Sequence, residues 1–126
     1  MSTLRVTTIT TPSGGQPTIE GLAKAWVNFN GTGTVAIRAS GNVSSITDNG
    51  TGDYTVNFTT AMSDANYSMA SLNGYSLTDG ASFTSAMTEL SRISGSMTST
   101  FSRVRTGRGS DNTVQDHELI CISFFR

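Results

Sequence analysis

The chain has 126 residues, only 13% of them charged, with a formal net charge of −1 and a pI near 5.6. That length fills one hydrophobic core and not two, and the near-neutral balance excludes the broad basic field that nucleic-acid binding requires. The single cysteine, Cys121, excludes an internal disulfide, and no run approaches the ~20 apolar residues needed to cross a bilayer.

Globular chains usually carry about 25% charged residues. Here Ser, Thr, Asn and Gly replace them, with 13 Gly against 2 Pro and a single Lys, Lys24. Thr suits strands, and Gly and Asn suit turns, so the composition favours an all-β fold with neutral polar faces. The N-terminus MSTLRVTTITT has no continuous apolar segment and reads as neither a signal peptide nor a membrane anchor. Synthesis in a cytoplasm is expected.

Residues 1–17 are expected to form an extended N-terminal arm and linker. Leu4, Val6 and Ile9 are its apolar residues and its candidate anchors on a partner or a neighbouring subunit, and Pro12-Ser13-Gly14-Gly15-Gln16-Pro17 is the linker. A single domain is expected over 18–126. Its centre is Lys24 to Tyr67. Ala25, Val27 and Phe29 alternate with Lys24, Trp26, Asn28 and Asn30, and a period of two marks half-buried antiparallel strands. Asn30-Gly31-Thr32-Gly33 breaks that run. Val35 and Ile37 mark a second short run, and Val43 and Ile46 a third. Asp48 to Asp53 (DNGTGD) is a hairpin turn, and Tyr54, Val56 and Phe58 share the inner face of the next strand. The block is expected to be a β-meander.

Ala61 to Asn66 reads as a loop, with a strand from Tyr67 through Met69 and Ser71. Leu72 to Ser96 is expected to be a surface loop crossing between sheets; a helical turn is the alternative, because Met87 and Leu90 in Thr84–Ile93 have helix-like spacing. Met97 to Val104 reads as a strand and Gly107 to Asn112 as a turn. His117 to Phe125 (HELICISFF) is the most apolar run and is expected to be a strand buried on both sides. The fold class that follows is an all-β antiparallel β-sandwich, jelly-roll-like or a meander, with the extended arm.

Chemistry is sparse. His117 and Cys121 share a strand face on simple alternation, but a thiol in such a run is more often a small core residue than a nucleophile. No Gly-x-Ser-x-Gly elbow, Walker loop or dinucleotide fingerprint is present. The 48–53 turn packs oxygen donors, yet the twelfth position of a calcium loop falls on Thr59 where a bidentate Glu is needed. One His and one Cys do not make a zinc site. With nine acidic residues, mostly in turns, paired carboxylates across a groove are not expected. No catalytic residue, metal or cofactor is assigned. Arg103, Arg105 and Arg108 form the basic cluster, read as a solvated face or a subunit contact to Asp111, Asp116 or Glu118, with an anion site as the sharper alternative. Trp26, out of phase with Val27 and Phe29, is expected to face a second layer or a neighbour. Tyr54 and Tyr67 are expected in the core. Tyr75, beside Asn73-Gly74, is the candidate exposed aromatic for stacking on a sugar.

The stretch KAWVNFNGTGTVAIRASGNVSSITDNGTGDYTVNFTTAMSDANY resembles a domain that recurs in tail-fibre and other virion structural proteins of tailed bacteriophages, notably marine and cyanobacterial phages. STLRVTTI is similar to the short arm that opens many of them, and CISFF to their closing apolar strand; Leu72 to Ser96 matches little. The resemblance implies a β-structured virion component, a homotrimer, that contacts other virion proteins of the tail, baseplate or capsid and takes part in assembly or host attachment. A capsid decoration protein and a module for host surface glycans are the alternatives. Trp26, Tyr75, Arg103, Arg105 and Arg108 are the candidate partner or glycan contacts. No nucleic acid and no membrane insertion are implied.

Overall fold

A computed structural model of the chain describes residues 22–74, 86–90, 95–108 and 113–126. Among these residues lie nine strands: β1 (Ala23–Asn30), β2 (Ala36–Gly41), β3 (Val43–Gly50), β4 (Asp53–Phe58), β5 (Ser68–Gly74), β6 (Ala86–Leu90), β7 (Phe101–Arg108), β8 (Thr113–Val114) and β9 (Leu119–Phe125). They form two antiparallel sheets. The first has the order β2-β1-β9-β5 and the second the order β3-β4-β7-β6, with β8 beside β7. The sheets pack face to face as an all-β sandwich. The expected arm, with Leu4, Val6 and Ile9, lies outside the described residues.

The alternation that defines the strands also builds the core. In β1, Ala25, Val27 and Phe29 are buried; in β4, Tyr54, Val56 and Phe58; in β9, Ile120, Ile122 and Phe124. Val43 and Val104 close the layer. At one end Phe124 meets Phe58 and Tyr67 edge-on, with ring centroids 5.1 and 5.7 Å away. Edge-to-face rings align each positive edge with a negative face, beyond their shared burial.

The 24–67 block is two hairpins in two different sheets and not one meander. β1 and β2 pair in the first sheet, β3 and β4 in the second. The chain changes sheet at Asn42, whose φ is +55°. That conformation suits Asn better than most side chains. The Asn42 amide then fastens the corner: Nδ2 donates to the Lys24 and Thr60 carbonyls, both at 3.0 Å, and Oδ1 accepts from the Thr60 N–H at 2.7 Å. Pairing of β1 with β9 and of β4 with β7 nests the outer strands around the inner ones. Ala23 lies opposite Phe125 in the β1–β9 pairing.

Other expectations shift. Within the span expected to be a loop, Leu72 to Gly74 belong to β5 and Ala86–Leu90 is a strand, β6, in register with β7. The β7 strand runs from Phe101 to Arg108, later than expected, so Gly107 and Arg108 are strand residues; Met97 only bridges to Ser102. β9 is buried on one face and half-buried on the other. It lies between β1 and β5, and the other sheet covers only its inner side.

Candidate functional site

The two sheets turn different chemistry outward. On the first sheet, register aligns two rows across the strands. One is Gly41, Trp26, Ser123 and Ala70; the other is Ala39, Asn28, Cys121 and Leu72. Trp26 is 42% and Leu72 60% exposed. Trp26 therefore faces outward, as its phase predicts, and its indole lies over Gly41 on the edge strand β2. Asn28 Oδ1 is shielded from solvent and finds no hydrogen-bond partner. Cys121 is half-buried on this outer face and not a core residue; burial pushes its thiol up, against a smaller opposing effect of Arg38. A raised thiol is a poor nucleophile.

The second sheet turns Ser45, Thr47, Asp53, Thr55, Asn57, Phe101, Arg103 and Arg105 outward. Register sets Asn57 opposite Phe101, Thr55 opposite Arg103 and Asp53 opposite Arg105. Arg103 grips Asp53 with both prongs: Nε donates to Oδ1 at 2.8 Å and Nη2 to Oδ2 at 2.9 Å. The guanidinium holds the Asp53 carboxyl below its usual range, with a smaller contribution from Arg105. Within the chain Asp53 is the ion partner of Arg103, and Asp111 lies outside the described residues. Asn57 Nδ2 donates to Thr47 Oγ1 at 3.0 Å and Ser45 Oγ at 3.1 Å. Asn49 Nδ2 donates to Thr55 Oγ1 at 2.9 Å. Between these side chains and the 95–96 segment lies an open cleft of about 390 Å³.

The structure therefore divides the candidate contacts. Arg103 and Arg105 share the outer face of the second sheet, Arg108 is exposed at the end of the same strand, and Trp26 belongs to the opposite side of the molecule. Tyr75 lies outside the described residues. Thr47, Asn57 and Phe101 were not singled out from the sequence. Each looks ordinary alone, and only the pairing of β3, β4 and β7 joins them.

The remaining polar groups tie the sheets together. Tyr54 is fully buried and its hydroxyl lies 2.7 Å from Asp116 Oδ1 and 3.0 Å from the Gly31 carbonyl. Its one proton goes to the closer, charged acceptor, which also accepts the Gly52 N–H at 2.7 Å. Burial, then the Asp116 carboxylate, raises the Tyr54 pKa strongly. Gly52 has φ +61°, and a Cβ there would stand 2.5 Å from the Thr106 carbonyl oxygen; only glycine fits. The 48–53 segment is a hairpin turn, with Asp48 Oδ1 accepting the Gly50 N–H at 2.9 Å. His117 precedes β9 and is 2% exposed. Asn73 Nδ2, which can only donate, sits 2.8 Å from His117 Nδ1, so that nitrogen is an acceptor and the ring is neutral. Burial holds its pKa below the usual value. His117 thus packs inward while Cys121 faces outward, and the pair is not brought together.

Among the described residues no group of three or more His, Cys, Asp or Glu is gathered to hold a metal ion. No helix among them is long and apolar enough to cross a membrane. Comparison with protein-family models matches no family, and comparisons with curated proteins and with solved structures find no match.

Proposed function

We propose that the chain is a structural module of a tailed-phage particle, a tail-fibre or appendage component that acts in assembly or host attachment as a homotrimer. The sequence resemblance supports the phage assignment. One structural observation carries the assembly part: the outer face of the first sheet sets exposed Trp26 and Leu72 around Cys121, Ala39 and Ala70. An apolar patch of that kind on a sheet surface suits contact with a partner. A closed symmetric oligomer would cover it, shield the β2 and β5 edges from further pairing, and offer Asn28 Oδ1 a donor.

Sedimentation equilibrium tests this reading. The wild-type chain is expected as a trimer. Replacing both Trp26 and Leu72 by Glu is expected to give a folded monomer with little change in thermal midpoint, since both residues are exposed. A strict monomer for the wild-type chain, together with its absence from purified virions, overturns the proposal. A map of the intact particle distinguishes a tail location from that of a capsid decoration protein.

A further inference from the structure

We infer that the cleft on the outer face of the second sheet binds a neutral, hydroxyl-rich glycan. The inference stands apart from assembly, which uses the opposite face.

Its volume, about 390 Å³, is that of a small-molecule site. Its lining has the chemistry of a sugar partner. A sugar hydroxyl both donates and accepts, and so do the groups here: the Thr47 and Thr55 hydroxyls donate, and the Asn57 amide oxygen accepts. These groups are held in place before any ligand arrives. Asn57 Nδ2 is fixed by Thr47 and Ser45, and the Thr55 hydroxyl receives Asn49. Preorganisation of this kind lowers the ordering cost of binding. Phe101, half-buried and one register step from Arg103, offers an apolar ring against which the C–H face of a pyranose can rest.

Charge selects between glycan classes. The Arg103 guanidinium spends Nε and Nη2 on Asp53, which pairs its charge with a carboxylate and leaves Nη1 as a donor; Arg105, on the same face, does not line the cleft. A carboxylated sugar would have to compete with Asp53 for the same cation. A neutral sugar needs only hydrogen bonds.

The test is a titration of the full isotope-labelled chain, followed by amide NMR, with three probes: a dextran hexasaccharide, a neutral O-antigen hexasaccharide and an acidic sialyl-oligosaccharide. The expected result is saturable shifts at Thr47, Thr55, Asn57 and Phe101 with at least one neutral probe, and weaker binding of the acidic one. Phe101→Ala and Asn57→Ala are each expected to weaken binding about tenfold, the size of one lost stacking or hydrogen-bond contact. Phe101→Leu keeps the apolar bulk without a ring face and should weaken it too; this variant decides the matter if Phe101→Ala does not fold. The Trp26 and Leu72 double variant should bind as the wild type does. No shift with either neutral probe, preference for the acidic probe, or shifts confined to the first sheet each overturn the inference. Sedimentation reads assembly separately, so failure here leaves the trimer proposal standing.

Discussion

The two outer faces come from one chain with one habit of alternation, yet they differ in kind. The first sheet turns outward a tryptophan, a leucine, alanines and a thiol, with Asn28 Oδ1 left unpartnered. The second turns outward hydroxyls and amides that satisfy one another, and an Arg103–Asp53 ion pair with Arg105 beside it. The lesson is that a polar sheet face can satisfy its own hydrogen bonds, whereas the first sheet leaves large apolar side chains exposed. Low overall charge conceals this, because neutrality arises from unlike compositions on opposite sides.

The contrast can be broken or sharpened by substitution. Phe124→Ala removes the ring that joins both sheets, with an expected cost of about 3–5 kcal/mol; both faces should be lost together in chemical denaturation. Asn42→Ala removes three hydrogen bonds and the side chain suited to a positive φ at the corner between sheets. The expected cost is about 1–3 kcal/mol, and Asn42→Gly, which keeps the backbone freedom, should lose almost as much if the amide is what matters.

pH acts on buried groups of the interior as well as on the outer ion pair. His117 is neutral and its pKa is lowered in the fold, so the unfolded chain binds the proton more readily. Stability is therefore full above about pH 6.5 and falls as pH drops below it. The thermal midpoint should decline from pH 7.5 to 5, and His117→Gln should flatten that slope. Tyr54 and Tyr67 are shifted upward, mainly by burial. Their contribution is present below about pH 10 and is lost as pH rises beyond it, since only the unfolded chain ionises readily there. Alkaline unfolding should begin near that value and begin later in Tyr54→Phe. The smallest effect is on the outer ion pair: Asp53→Asn should cost under about 1 kcal/mol in equilibrium unfolding and leave assembly unchanged.

Much of the strand pattern was legible because it is local. Trp26 stands out of phase with its neighbours, Tyr54 stands in phase, and the Asp48–Asp53 turn carries its own glycines. The change of sheet at Asn42 was not legible. A single Asn after a short polar run looks like any turn, and its partners, Lys24 and Thr60, are each 18 residues away. β6 was missed for a related reason. Met87 and Leu90 have helix-like spacing, and pairing with β7 overrides that weak preference. The half-exposure of β9 depends on what covers its outer side, which no periodicity within the strand reports. The cleft was divided among three strands and so had no motif.

The opposition of Ala23 and Phe125 in neighbouring strands has a geometric corollary. Whatever is joined ahead of residue 22 enters the sandwich at the same pole from which Arg126 leaves it, while the Tyr54 and Asp116 linkage occupies the far pole. Such a unit can be grafted into a loop of a host protein, or circularly permuted, with a short bridge across that pole. Tethering at that pole would orient the outer faces of the two sheets sideways to the tether, leaving neither pointing back along it.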